Sequence, residues 1–294
     1  MRIPHILLAV AVAAVWGLNF VAIKVGLRDF PPILFSSLRF ALAALPLLLL
    51  GWRDGPPVPW RFILGIGVTL GVIKFPLLFF GMDVGMPAGL ASLVLQSQAF
   101  FTAIFAAFVL GDRPGPRQML GMAVAFGGIG VIASEMPSGD SLTGLAFCLA
   151  AAAVWGVSNI VMKQAKAPDL FRLMLWVSLV PPLPLLALSL VVEGPDRIAH
   201  AFATLSWLGV GALVYIAAGA TLFGFAAWGF LMRHYPASLV APFSLLVPIF
   251  GMSSSALLLG ETFSTVKLMG GLLVFAGLAL SVLKRPAAAT PVRA

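Results

Sequence analysis

Three cationic side chains lie within long apolar segments of the sequence: Lys24, Arg39 and Lys74. Ionisable residues in such segments usually face a protein interior or a water-filled cavity, where a cation can bind an anionic group such as a carboxylate. Lys24 is near the end of its segment, so its ammonium can instead extend to the boundary between the apolar region and water. Arg39 and Lys74 lie deeper within their segments. Each could have a structural role, capping the carbonyls of a broken helix, and we favour that role for Arg39. Lys74 is the better candidate for a binding site.

No carboxylate lies deep in any of these segments. A pump for cationic drugs generally needs an intramembrane acid to balance its substrate, so the sequence disfavours that function. A buried cation without an acid suits a substrate that carries a carboxylate. All ten acidic residues fall in loops or at segment ends: Asp29, Asp54, Asp83, Asp112, Glu135, Asp140, Asp169, Glu193, Asp196 and Glu261.

Uncharged polar and aromatic residues accompany the cations and could hold a small amphiphile or zwitterion. Trp16 and Asn19 are three residues apart and share a helix face, and Trp155 shares one with Asn159. Aromatic residues of membrane helices also serve in packing and at the interface. The predicted substrate-binding set is Trp16, Asn19, Lys74, Phe75, Phe79, Gln96, Phe100, Trp155, Asn159, Tyr215, Phe223 and Ser244.

Membrane-spanning helices must position these side chains. Hydrophobic residues make up 61% of the chain and charged residues only 10%, whereas soluble domains carry roughly 25% charged residues. The 294 residues leave room for about ten spans of ~20 residues, each crossing a hydrocarbon core of ~30 Å. The fold class we predict is an all-α integral membrane protein with spans at residues 6–27, 32–50, 62–82, 87–110, 118–133, 142–162, 172–192, 207–231, 237–259 and 266–283.

The orientation follows from the distribution of the remaining cations, because Lys and Arg accumulate on the cytoplasmic side of spans. With the N-terminus inside, only Arg28, Arg197 and Lys267 fall in the outer loops. Both termini are therefore predicted in the cytoplasm, and the net charge of +8 needs no nucleic acid partner. The predicted cytoplasmic set is Arg2, Arg53, Arg61, Arg113, Arg117, Lys163, Lys166, Arg172, Arg233, Lys284, Arg285 and Arg293.

The sequence repeats itself. Residues 13–17 recur at 152–156, and residues 87–121 match 236–270 without a gap. We predict one five-helix repeat at residues 1–135, a second at 141–285 and a flexible cytoplasmic tail at 286–294. Because five is an odd number of spans, the second repeat must enter the membrane from the opposite side.

Two inverted repeats around a central cavity are an architecture of alternating access, in which a shared site opens to each side in turn. Glycine and proline interrupt several segments. In the third and ninth, at Gly67, Gly71 and Pro242, they indicate either cavity-lining backbone or simple kinks. In the fifth and tenth they favour close packing of helices.

The chain resembles the drug/metabolite transporter superfamily and, within it, the ten-helix exporters with two EamA domains. The resemblance covers essentially the whole chain. It is carried by Val15-Trp16-Gly17-Leu18-Asn19-Phe20, Leu38-Arg39-Phe40, Pro87-Ala88-Gly89-Leu90-Ala91-Ser92 and Gly111-Asp112-Arg113, with Pro236-Ala237 and Gly260-Glu261 in the second half.

The segment from Gly85 to Phe101 looks closest to bacterial amino-acid metabolite exporters of the cysteine/O-acetylserine and aromatic amino-acid types. This resemblance implies a cavity formed by helices one, three, four, six, eight and nine, and export of amino acids from the cytoplasm across the bacterial inner membrane. Lys74 departs from the resemblance, which implies an uncharged polar residue there.

Other functions are weighed against this one. An enzyme is disfavoured, because His5, His200 and His234 are paired with no deep acid or cysteine. The lone Cys148 allows neither an internal disulfide nor a cysteine metal site. A multidrug exporter and a passive facilitator of the same fold remain alternatives. We predict a monomer in the lipid bilayer with small-molecule substrates, no nucleic acid partner, no cofactor and no metal.

Overall fold

The computed structural model describes residues 1–50, 55–136 and 139–282. Within these ranges every regular element is a helix and none is a strand, so the predicted all-α class is confirmed there. The predicted tail at 286–294 lies outside the described residues. So do Arg53, Asp54, Lys284, Arg285 and Arg293, to which the sequence assigned loop or cytoplasmic positions.

The helices follow one another through short connections. Proline occupies the first turn of several of them, where its missing N–H costs no hydrogen bond. In the described residues they are α1 (Ile3–Gly26), α2 (Pro32–Leu50), α3 (Trp60–Asp83), α4 (Ala88–Val109), α5 (Pro116–Ser134), α6 (Asp140–Ala165), α7 (Leu170–Val177), α8 (Pro182–Val192), α9 (Pro195–Ala203), α10 (Trp207–His234), α11 (Ala237–Val240), α12 (Ala241–Leu259) and α13 (Thr265–Val282).

Eight helices in the described ranges are long and apolar enough to cross a membrane: α1 to α6, α10 and α12. A ninth span results if α7 and α8 are taken together, and α13 is a shorter apolar helix. Large apolar side chains cover the outside of the bundle, including Phe108, Val191 and Leu257. A soluble domain rarely leaves so much contiguous apolar surface in water.

The seventh predicted span, residues 172–192, is bent in the structure. Helices α7 and α8 meet at an angle of 40°. Pro181 and Pro182 stand at the junction and have no N–H to continue the hydrogen bonding of α7. The bend was not predicted from the sequence, although the proline pair was the signal that would have located it.

Four helical regions depart from α-helical geometry near the middle of the bundle. Helix α3 contains a π-helical segment, Gly67–Lys74, and α10 contains another, Tyr215–Phe223. Helix α4 has a 3₁₀ turn at Leu95–Ser97, and α12 begins with one at Ala241–Leu245. The sequence indicated irregularity in the third and ninth segments. The 3₁₀ turn in α4 and the π-helical segment in α10 were not predicted.

Helix α5 packs against α13 along glycines of both helices. A Cβ added at Gly128 would lie 2.5 Å from the Gly270 carbonyl oxygen, and one at Gly277 would lie 2.7 Å from the Cβ of Ala125. No larger side chain fits these positions without moving a backbone. The predicted close packing of the fifth and tenth segments is confirmed at these glycines, whereas Gly127 faces open space.

Gly127 and Gly128 are neighbours in α5, and only Gly128 contacts α13, so the pair gives a matched test of the packing. We expect Gly128→Ala to lower the free energy of unfolding by about 1–3 kcal/mol, because the added methyl group overpacks the contact. Gly127→Ala should leave it unchanged or raise it by up to ~1 kcal/mol, since alanine is the better helix former. Thermal unfolding of the purified variants in detergent measures both effects. Equal shifts for the two variants would contradict the packing account.

Candidate functional site

A cavity of about 350 Å³ lies among the helices, a size within the range of small-molecule sites. The six spans that the resemblance implied as walls, which are α1, α3, α4, α6, α10 and α12, all contribute to it. Helices α2, α7 and α13 add Arg39, Leu170 and Leu278. The lining residues are Trp16, Asn19, Phe20, Arg39, Leu70, Lys74, Phe75, Leu78, Leu95, Gln96, Gln98, Ala99, Trp155, Asn159, Met162, Leu170, Ala220, Phe225, Trp228, Ser244, Leu245, Val247 and Leu278.

Two cationic side chains of this cavity contact the same aromatic ring. The Lys74 ammonium lies 3.5 Å from the centroid of Phe75 and 4.3 Å from that of Trp155. The Arg39 guanidinium carbon lies 3.9 Å from the Phe75 centroid. Both cations are almost fully buried, at 2% and 3% exposure. Ring faces attract cations but carry no net charge, so neither positive charge is neutralised there.

The irregular helices bring these groups together. Lys74 is the last residue of the π-helical segment in α3, and Thr221 lies in the π-helical segment of α10. Arg39 Nη2 and Nε donate to the Thr221 hydroxyl over 2.9 and 3.2 Å. A π-helical turn shifts the side chains that follow it around the helix axis and is frequent at functional sites. The two segments thus place the Thr221 hydroxyl and the Lys74–Phe75 pair beside Arg39 of α2.

Arg39 does not cap backbone carbonyls, the role favoured from the sequence. The hydrogen bonds given for its side chain go to the Thr221 hydroxyl, and Nη1 is buried with no partner among the described residues. Lys24 donates to the carbonyl oxygen of Met82, although the sequence suggested that it extends to the interface. Lys24 is therefore a structural contact outside the cavity, whereas Arg39 is a cavity residue.

Neutral polar side chains of the cavity wall form hydrogen bonds that connect neighbouring helices. Asn159 Nδ2 donates to Gln98 Oε1 over 2.5 Å and to Thr102 Oγ1 over 3.0 Å, joining α6 to α4. Gln96 Nε2 donates to the Ser244 carbonyl oxygen over 3.0 Å. Asn19 is 8% exposed, and its Oδ1 has no partner among the described residues. It is an acceptor available to a ligand N–H.

The aromatic part of the wall is fixed mainly through Trp16. Its indole N–H donates to the Ala220 carbonyl oxygen over 2.9 Å. Its ring contacts Phe225 and Trp228, with centroids 5.8 and 5.2 Å apart. Gly224 allows this approach, since a Cβ there would collide with the indole. These rings offer an apolar surface for a ligand side chain beside the cations.

The structure brings most of the predicted binding set to the cavity. The residues that line it are Trp16, Asn19, Lys74, Phe75, Gln96, Trp155, Asn159 and Ser244. Four do not line it. Phe79 is buried among Phe35 and Phe75, and Phe100 packs on Phe126.

The other two of these four residues also have roles elsewhere. The Tyr215 hydroxyl donates to the Val15 carbonyl oxygen over 2.9 Å, and Phe223 is 42% exposed on the outside of the bundle. Substrate contact by the eight lining residues stays a prediction. Phe225 and Trp228, which line the cavity, were not in the predicted set. Their three-residue spacing on one helix face was the available signal.

The cavity extends toward one end of the bundle, which we call the terminal end. There His5 of α1 shares a hydrogen bond of 2.7 Å with the Tyr235 hydroxyl after α10, and Arg233 pairs with Asp169 over 2.7 Å just before α7. Leu170, the first residue of α7, lines the cavity. Trp228, near the end of α10, lines it as well. The lining therefore reaches toward the terminal end.

The opposite end is closed. Glu193, after α8, accepts hydrogen bonds from the Ile33 and Leu34 amides over 2.7 and 3.0 Å. Glu261, after α12, accepts from the Ala88 and Gly89 amides over 2.6 and 3.0 Å. Each carboxylate thus satisfies two amides that a helix start leaves free.

An aromatic column fills the space beneath these capped helix starts. Phe30 stacks on Phe35, with ring centroids 5.3 Å apart, and Phe35 contacts Phe79 at the same distance. Phe79 contacts Phe75 at the cavity wall, over 5.9 Å. These rings are nearly inaccessible. They separate the cavity from the closed end.

The described residues contain no group of three or more His, Cys, Asp or Glu side chains that could hold a metal ion. Cys148 is buried and unpaired. The chemistry that the cavity offers is binding, through two cations, a few amide groups and aromatic faces. The described part of its wall carries neither an acid nor an activated nucleophile.

Comparison with known proteins places the chain among transporters. The EamA-like transporter family matches it twice, at residues 3–134 and 142–283. A protein of Salmonella typhimurium strain LT2 named "Probable amino-acid metabolite efflux pump" is 43% identical, over 94% of this chain and 93% of that protein. A protein of the same name from Escherichia coli K12 is 40% identical over the same shares.

More distant proteins also match over nearly the whole length. The "Probable terminal-alkyne amino-acid exporter" of Streptantibioticus cattleyicolor is 29% identical, over 95% of this chain and 94% of that one. One solved crystal structure superposes with a TM-score of 0.63 at 20% identity, covering 96% of this chain and 97% of that chain. At that identity the superposition concerns the fold alone.

Proposed function

Because the chain belongs to the EamA-like transporter family, we propose that it exports amino acids and related small metabolites from the cytoplasm by alternating access. The observation that carries this proposal is the cavity of about 350 Å³, which joins two unneutralised cations to an aromatic wall. Such a cavity suits a carboxylate with a small side chain. Relatives named amino-acid metabolite efflux pumps and an amino-acid exporter support the same substrate class.

The proposed architecture is ten spans in two inverted five-helix repeats, at residues 1–135 and 141–285. Two successive matches to one family model support it. The irregular segments support it too, because the third and fourth spans of each repeat carry a π-helical and a 3₁₀ segment in the same order. Counting α7 with α8 and adding α13 brings the eight longest helices to ten.

The proposed location is the bacterial inner membrane, with both termini in the cytoplasm. The family is one of multi-pass membrane transporters with bacterial members, and the excess of Lys and Arg in the loops of the terminal end supports the orientation. In that orientation the cavity extends toward the cytoplasm. An exporter needs this arrangement to load its substrate. The proposed working unit is a monomer.

Counterflow in proteoliposomes tests the proposed function. Liposomes loaded with an unlabelled amino-acid metabolite should take up the same labelled compound several-fold faster than empty liposomes, because a carrier returns faster when loaded. A passive facilitator of channel type would show flux without this stimulation. An enzyme would show no flux. A multidrug exporter would carry hydrophobic dyes as readily as carboxylates, which would contradict the proposed substrate class.

A further inference from the structure

The cavity contains two buried cations and, among the residues that line it, no carboxylate. Resting on the proposed function, we propose that its preferred substrates are net anions, namely amino-acid metabolites that keep the carboxylate but carry no ammonium group. N-acylated amino acids and 2-oxo acids have this chemistry. Zwitterionic amino acids are the poorer substrates.

The protein leaves both positive charges unmatched. Arg39 Nε and Nη2 reach only the neutral Thr221 hydroxyl, and Nη1 is buried without a partner among the described residues. Lys74 lines the cavity, and in the described part of the chain no protein oxygen accepts a hydrogen bond from its ammonium. A buried cation without a counter-ion is strongly disfavoured. A negatively charged ligand group would supply the counter-ion that the protein does not.

The acids of the neighbouring elements do not supply this charge. Glu193 and Glu261 lie at the closed end, and both oxygens of each accept hydrogen bonds from helix amides. At the terminal end, Asp112 pairs with Lys163, and Asp169 pairs with Arg233 while capping α7. Each of these four carboxylates already has a protein partner.

A zwitterion would place an ammonium group beside two cations with no acid to offset the repulsion, which is strong where water is excluded. A monoanion brings its charge without that penalty. The remaining polar group that awaits a ligand, Asn19 Oδ1, is neutral and buried. It can accept the N–H of an acylated amine as well as that of an ammonium, and the acylated amine adds no positive charge.

Three compounds that share a side chain but differ in the charge of their backbone groups test the proposal. The full-length protein is used in proteoliposomes. Counterflow is measured for the N-acetyl amino acid, the free amino acid and the amino-acid amide, which carry charges of −1, 0 and +1. Phenylalanine, leucine and cysteine each provide such a trio. We expect the N-acetyl compound to be carried at least tenfold faster than the free amino acid. No counterflow is expected for the amide.

Variants connect this preference to the cations. Arg39→Gln should lower the ratio of N-acetyl to free amino-acid transport by at least threefold. Lys74→Gln should do the same and covers the case in which the first variant fails to fold. Lys163→Gln, which removes an exposed cation outside the cavity, should leave the ratio unchanged.

The outcomes separate this inference from the proposed function. Free amino acids carried as fast as their N-acetyl forms would overturn the inference and leave amino-acid export standing. Counterflow for none of the nine compounds would contradict both. An unchanged ratio in both cavity variants, with folding intact, would also overturn the assignment to Arg39 and Lys74.

Discussion

Lys74→Ala is expected to lower the transport of carboxylate substrates by roughly 10- to 100-fold, because it removes a charge-assisted contact worth ~1.5–3 kcal/mol. Two ring faces hold the ammonium in the cavity, and no described protein oxygen competes for it. A substrate carboxylate would be its first ionic partner. The loss should be seen as a higher KM together with a lower maximal rate in proteoliposome counterflow.

A matched control separates this effect from a general defect of folding. Lys24→Ala removes a cation of the same type that contacts the Met82 carbonyl outside the cavity. We expect it to retain the KM of the parent protein. If Lys74→Ala carried a carboxylate substrate as well as the parent, with unchanged thermal unfolding, Lys74 would have no role in recognition.

The second large effect concerns stability. Glu193→Ala should lower the free energy of unfolding by ~3 kcal/mol, because two helix-start amides lose charged acceptors in a buried place. Glu193 is 7% exposed, and its Oε2 also accepts from the Ser189 hydroxyl over 2.6 Å. Since this residue fastens the start of α2 to the end of α8, its loss should also loosen the closed end.

Two measurements check this prediction. Thermal unfolding in detergent reports the loss of stability, and reaction of a cysteine introduced at Leu34, on a Cys148→Ser background, reports opening of the closed end. Asp112→Ala is the control, because that carboxylate is 66% exposed and pairs only with Lys163 among the described residues. Exposed pairs contribute little. Equal effects of the two substitutions would refute the cap as the source of stability.

The internal repeat also shows where the two halves differ. Glu261 and Asp112 occupy matching positions of residues 236–270 and 87–121. Glu261 binds the first amides of α4, whereas Asp112 lies exposed beside Lys163. At the closed end, Glu261 therefore joins two helices through hydrogen bonds to helix-start amides. At the terminal end, its sequence counterpart Asp112 is exposed and pairs with Lys163 instead. This asymmetry agrees with a cavity that extends toward only one end.

Much of the fold could be predicted from the sequence, for a physical reason. Backbone groups in hydrocarbon must be satisfied within the segment, so long apolar stretches can only be helices. Composition and spacing therefore sufficed for the all-helical class. They also sufficed for the close packing of α5 on α13, and for Lys74 as a cavity cation, because buried charges are rare and seldom lie against lipid.

Only the tertiary structure decided which face of each helix points inward. Phe79 and Phe223 lie on segments as apolar as those of Phe75 and Phe225, yet only the latter two line the cavity. Their direction depends on the π-helical segments and on neighbouring helices, which local sequence does not encode. Arg39 is the clearest example. The sequence determined that it is a buried cation, and packing against Thr221 and Phe75, both distant from it in sequence, made it part of the site.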